Sequence, residues 1–232
     1  FVPIIENLKN NFQKLNTLDD KINFCFKTFY LSPIYGISFV LQESMNGTFL
    51  QTRRFIDYHP KNRFKDYSLM IYKGKKLVGC LLGCECLDEN KKTFYSHKGV
   101  TFGGILITQQ IYNTTYINQL FNQIENFLKI NNFEKIVLRM TPNVFQRQNT
   151  DMLEYFLYQK GYSQYVELNY YIDLRKYKND ILSQLSSGKR RDFKYALKNK
   201  MVFKKIESKN GVKDFYEVLL KNLNKLNARC VH

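Results

Sequence analysis

The chain has 232 residues, 44% hydrophobic and 16% aromatic, with no Trp and a formal net charge of +16. This excludes a disordered polypeptide and leaves room for one large or two small domains with a sizeable core. No apolar run approaches the ~20 residues of a membrane helix, and LVGCLLGCECL, the best candidate, is short and carries Glu85.

The first fifteen residues, FVPIIENLKNNFQKL, lack the charged start, apolar middle and cleavage site of a signal peptide. They and the next few read as a polar, helical lead-in over 1–18. KINFCFK (21–27) alternates as a first strand. SPIYGISFVLQES has apolar residues at helical spacing, and TRRFIDYHP is a short helix closed near Pro60. YSLMIY and KLVGCLLGCECL read as two strands joined by a tight turn at Lys73–Lys76. KTFYSHKGVTFGGILI is the next strand, or a strand broken by a loop.

In IYNTTYINQLFNQIENFLKINNF, the residues Ile117, Leu120, Phe121, Ile124, Phe127 and Leu128 mark one helix face. KIVLRM (135–140) has a continuous apolar middle and reads as a central strand. NTDMLEYFLYQKGY is a helix with Thr150 or Asp151 as N-cap and Gly161 at its end, and YVELNYYIDL is another strand. Up to Leu174 this predicts a mixed α/β (α+β) layer, with helices covering a largely antiparallel sheet. Beyond it, NDILSQLSSGKRRDFKYALKNK reads as two helices broken near Ser186–Gly188, MVFKKIE as a strand, and GVKDFYEVLLKNLNKL as an amphipathic helix.

The five cysteines, Cys25, Cys80, Cys84, Cys86 and Cys230, show no C-x-x-C spacing. Cys80, Cys84 and Cys86 share strand parity, and the nearest acid, Glu85, has the opposite one. They read as buried apolar thiols in a reducing, cytoplasmic compartment, with no metal site. The charge suggests polyanionic partners. Enrichment in Asn, Lys, Ile, Phe and Tyr is also what an AT-rich coding sequence produces, which lowers that weight.

The order of NGTFLQTRRFIDYHPKNRFKDYSLMIY, FYSHKGVTFGGILI, KIVLRMTPNVFQRQ, SSGKRRDFKYALKN and FYEVLLKNLNKL resembles the Fem-type (FemABX-like) branch of the GNAT acyltransferases. The resemblance implies a lead-in over 1–20, a first GNAT-like domain over 21–175 and the start of a second over 176–232. In this family the second half continues well beyond that length, so the chain is expected to be inactive alone. The implied reaction moves an acyl or aminoacyl group from acyl-CoA or aminoacyl-tRNA onto an amine of a cell-envelope precursor. The implied partners are a phosphorylated or lipid-linked acceptor, with tRNA and an anionic membrane surface as further candidates.

A GNAT site for CoA uses a Gly-rich turn between a strand and the following helix, whose N–H groups hold the pyrophosphate. Here that junction is ILITQQIYNTTYINQL, with no glycine and no basic residue. The donor is therefore expected outside the first half.

The glycines lie just before that junction. Gly99, Gly103 and Gly104 let the backbone approach a ligand or another chain segment closely, with His97, Thr101 and Phe102 beside them. The alternative is a β-bulge with no ligand. His97 could act as a general base, but no carboxylate in the local motif orients it, and the catalytic residues stay unassigned. Arg54, Tyr58, Arg139 and Arg147 complete the candidate substrate-binding set. Arg190, Arg191, Lys194 and Lys198 fall on adjoining helix positions and are candidate phosphate contacts. The rival function is a non-catalytic RNA- or tRNA-binding module, although no RRM, KH or helix-turn-helix signature is present.

Overall fold

Alternating and striped apolar patterns become two sheets and the helices that cover them. The structure is a computed structural model and describes residues 2–8, 24–28, 39–168, 170–176 and 180–228. In chain order the elements are β1 (Val2–Leu8), β2 (Phe24–Thr28), α1 (Arg53–Ile56), β3 (Lys65–Asp66), β4 (Leu69–Lys73), β5 (Lys76–Leu81), β6 (Cys84–Asp88), β7 (Lys91–Ser96), β8 (Ile105–Ile107), α2 (Thr114–Ile130), β9 (Lys135–Arg139), α3 (Asp151–Gln159), β10 (Ser163–Glu167), α4 (Ser187–Lys198) and α5 (Lys209–Lys225). Two compact units divide the chain, 1–169 and 170–232.

In the first unit one sheet runs β10-β1-β9-β7-β6-β3 and the other β2-β4-β5-β8. All ladders are antiparallel except β7 with β9, which is parallel. The fold is thus mixed α+β, with largely antiparallel sheets flanked by helices.

Helix α2 starts where the Asn113 side chain accepts the Tyr116 N–H at 3.0 Å, and it ends at Asn131 and Asn132, the latter at φ 63°. Its residues Ile117, Leu120, Phe121, Ile124 and Leu128 are all buried against Leu69, Ile71, Ile105, Ile107, Ile136 and Leu138. Each such side chain contributes about 1.5–3 kcal/mol by leaving water. The alternate residues Met70, Cys80 and Leu106 point the other way and pack with Phe39, Ile56 and Val100. The second sheet is therefore apolar on both faces, which is why its strands read as continuous hydrophobic runs.

Several expectations change. Residues 2–8 are not helical but a strand, set between β9 and β10 with Ile4 opposite both Arg139 and Tyr165. Those partners lie far along the chain, and pairing with them overrides the local pattern; 9–18 fall outside the described residues. KLVGCLLGCECL is two strands, not one. It breaks at Leu82-Gly83 as the chain passes from one sheet to the other, so Cys80 and Cys84 share no strand face. YVELNYYIDL is a strand only to Glu167.

In the second unit the described part of NDILSQL, 180–185, is a turn rather than a helix, and MVFKKIE has no strand partner among the described residues. The helix over Ser32–Ser44 is described only from Phe39, as one wide turn to Glu43. Lys21–Asn23 and Cys230 lie outside the described residues. No described residue after Tyr162 is buried. No described helix is long and apolar enough to cross a membrane.

Candidate functional site

The site forms where the two sheets part. Leu81 opposes Ile105, and Cys84 opposes Tyr95. Between these pairs, two residues on one side, Leu82 and Gly83, face nine on the other, 96–104. The glycine-rich stretch is therefore a loop thrown out of a ladder, at the C-terminal ends of the parallel pair β7 and β9, the end of a sheet where ligands gather in α/β proteins.

Consecutive across α2, β8 and β9 lie in different sheets, so a wedge opens between them. The chain fills this wedge itself with Ser44–Thr52. Ser44 bridges Thr108, and Met45 N–H donates to the Ile107 carbonyl at 2.8 Å. The Asn46 amide mimics a strand, donating to the Ile105 carbonyl at 2.8 Å and accepting the Ile107 N–H at 3.3 Å. Gln51 donates to Thr141 Oγ1 at 2.8 Å and to the Gly103 carbonyl at 3.3 Å. The Arg147 and Gln148 N–H groups both donate to the Met45 carbonyl. Ser44, Asn46, Gln51 and Thr141 are at most 2% exposed, so these bonds offset a desolvation cost of about 1–3 kcal/mol for each group.

The loop is held as firmly. Gly103 N–H donates to the Arg139 carbonyl at 3.0 Å, and Arg139 N–H to Ser96 Oγ at 2.7 Å. Gly104 has φ 67°, a left-handed conformation that favours glycine. At Gly99 a Cβ would lie 2.8 Å from His59 Nε2 and 2.9 Å from the Phe64 ring. Gly99 N–H donates to His97 Nδ1 at 3.0 Å, and His59 Nε2 donates to the Gly99 carbonyl at 2.6 Å. These bonds fix both tautomers, with the proton on Nε2 in each ring. Phe64 stands edge-on to both imidazoles, with centroids 5.1 Å from His59 and 5.2 Å from His97.

Arg53 bonds both Asp57 and Asp66. Burial opposes ionisation of Asp66, but hydrogen bonds from Ser68 and Arg53 and the Arg53 charge outweigh it and hold the carboxyl below its usual range. Burial drives His97 down to about 4, with Arg53 adding and Asp66 opposing. Burial pushes the Cys84 thiol up to about 11, even though its sulfur accepts the Lys98 N–H.

Of the expected substrate-binding residues, His97, Gly99, Phe102, Gly103 and Gly104 are buried, while Thr101 is exposed. His97 is not arranged as a general base, because its one lone pair already accepts from Gly99. Phe102 stacks on Phe145 at 5.8 Å and 13°, and Phe145 is half exposed. Tyr58 is half exposed and lies 4.3 Å from the His59 ring, centroid to centroid. Arg139 meets the loop through its backbone, while its guanidinium pairs with Glu167 at 3.1 Å. Arg54 and Arg147 are exposed at the surface.

Arg190, Arg191, Lys194 and Lys198 belong to the second unit. Arg190 donates to the Ser183 and Leu185 carbonyls at 3.1 and 2.7 Å, while Arg191, Lys194 and Lys198 are exposed. A recess of about 560 Å³ lined by Phe24, Cys25, Phe26, Gly74 and Phe127 holds none of these residues. Among the described residues no cluster of His, Cys, Asp or Glu is placed to hold a metal ion.

Asn46, Gln51 and Phe64 were not singled out from sequence, and His59 was read only as the end of a short helix. Thr48-Phe-Leu-Gln51 is a legible capping box, with both reciprocal bonds formed, and it announces Gln51. Nothing local announces that His59 reaches Gly99 forty residues on. No protein-family model and no curated protein matches the chain.

Proposed function

We propose that the protein is an N-acyltransferase of the Fem-like kind, in which residues 1–169 contribute the acceptor side and the acyl donor is held outside them. The observation that carries this reading is the wedge between β8 and β9. Two strands that diverge across a helix suit an acyl-transfer fold, because backbone N–H groups at such a divergence can stabilise an oxyanion. In this chain Met45 and Asn46 occupy the β8 groups that face the wedge. An acyl-CoA does not fit there, and no step is assigned to it.

The acceptor is an amine on an anionic or lipid-linked cell-envelope precursor in the cytoplasm. Support comes from half-exposed Tyr58 and Phe145 and from Arg54, Lys98 and Arg147 on the same two loops and α1. The donor is acyl-CoA or aminoacyl-tRNA, with Arg191, Lys194 and Lys198 as its phosphate contacts.

The test has two arms. Calorimetric titration of the chain with acetyl-CoA is expected to show no saturable site. Tight one-to-one binding that shifts the amide resonances of Met45–Gly47 and Ile105–Ile107 would overturn the assignment of the donor. The protein made from its full reading frame, given either donor and a muropeptide amine, is expected to yield an amide product by mass spectrometry. No amide with either donor would overturn the transferase reading.

A further inference from the structure

We propose that the loop 97–104 is an acid-released latch, in which the imidazoles of His59 and His97 clamp Gly99 from both sides and protonation of His97 lets the loop go. This goes beyond the transferase reading and does not depend on it.

The clamp is asymmetric. His59 acts as a donor to the Gly99 carbonyl, and a second proton on that ring leaves the donated hydrogen in place. His97 acts as the acceptor of the Gly99 N–H. A proton arriving at Nδ1 takes the lone pair, so two N–H groups then face each other in a closed site. His97 is fully buried, and among the described residues its Nε2 has no hydrogen-bond partner, so no acceptor there offsets burial of the cation on its other side.

The charged and titratable neighbours decide how strongly the clamp resists. Asp66 on β3 and Asp57 after α1 favour the cation, while Arg53 on α1 and His59 oppose it, and burial is the largest effect. Asp66 and Asp57 are both engaged by Arg53, whose charge offsets their pull on a new imidazolium. Cys84 on β6 faces the loop at the Lys98 N–H and stays a neutral thiol, because burial raises its pKa.

Release has a defined extent. Val100 N–H bonds to the His97 carbonyl, and Gly103 N–H to the Arg139 carbonyl. Loss of the Gly99 anchor frees the first of these, while the second is tied independently through Gln51 and Ser96. The loop therefore opens at 97–100 first and exposes the edge of the filled wedge.

Two measurements on the whole chain test this. Nitrogen-15 NMR of labelled histidine should find His97 neutral at pH 7.5, with its proton on Nε2. Hydrogen exchange at the Gly99 and Val100 amides, corrected for the intrinsic rate, should show opening about 30-fold more frequent at pH 5 than at pH 7.5. Amides of Ile136–Leu138 should keep their protection. His97→Asn places an uncharged acceptor near the Nδ1 position and should abolish the pH dependence. A proton on Nδ1 at pH 7.5 would overturn the proposal. So would loop and β9 amides losing protection together, loop exchange that ignores pH, or a pH dependence that persists in H97N.

Discussion

Helices α2 and α5 are each 17 residues long, each capped by a side chain and each striped with apolar residues. Yet α2 buries five side chains and α5 none. A stripe is a property of sequence; burial is a property of what meets it. In residues 1–169 two sheets meet α2 and α3, while no described residue of the second unit reaches a buried state. Stability should therefore reside almost wholly in the first unit.

Paired truncations test that difference most severely. Leu120→Ala on α2 removes a fully buried side chain and should cost about 2–5 kcal/mol. Leu223→Ala on α5 should cost under about 1 kcal/mol. Urea unfolding followed by circular dichroism measures both, and equal losses would mean that α5 is packed as α2 is.

The next largest effect is a pH dependence confined to the first unit. His97 is held at about 4, against an ordinary 6.5. The unfolded chain thus binds a proton that the folded chain refuses between these values. The stability contributed by His97 is complete above about pH 6.5 and lost as pH falls through 4, about 3 kcal/mol in all. H97N should flatten the curve of unfolding free energy against pH over that interval; an unchanged curve would assign the slope to other groups.

Glycines give a smaller contrast with opposite signs. Gly99→Ala drives a methyl group into His59 and Phe64 and should cost about 1–3 kcal/mol. Gly188, in the first turn of α4, meets nothing within 4 Å. Gly188→Ala should stabilise by about 0.5–1 kcal/mol, through helix propensity alone. Thermal midpoints of the two variants should move in opposite directions.

What was legible follows the same division between local pattern and distant partner. The stripe of α2, the apolar run of β9 and the tight turn at Gly74-Lys75 are local, and each was read from sequence. Strand β1 was not, because its partners lie some 130 residues or more away, at Lys135–Arg139 and Ser163–Glu167. The break at Leu82-Gly83 is hidden because the second sheet is apolar on both faces, so the hydrophobic run continues through the bend. MVFKKIE has the composition of a strand but no described strand to pair with. At the site the glycines were visible, but their reason was not. The close neighbours of Gly99 are His59 and Phe64, and the donor to the Gly103 carbonyl is Gln51. No periodicity links positions 35 to 52 residues apart.

The smallest effect on stability comes from the charges of α4. Arg191, Lys194 and Lys198 are exposed, and reversing Lys194 and Lys198 to Glu should change unfolding free energy by less than about 0.5 kcal/mol. On the proposed reading, Arg191, Lys194 and Lys198 contact the donor's phosphates. Each phosphate contact removed should lower the slope of log affinity against log salt for tRNA by roughly 0.7–0.9. The double reversal should therefore weaken tRNA binding and flatten that slope by about 1.5, with the fold intact by circular dichroism. Arg190→Ala supplies the control, because that guanidinium caps the Ser183 and Leu185 carbonyls; it should disturb the turn before α4 and leave the slope within about one contact of the original. An unchanged slope in the double variant would reduce the ridge to a solvated face and return the donor's phosphate contacts to the loops of the first unit.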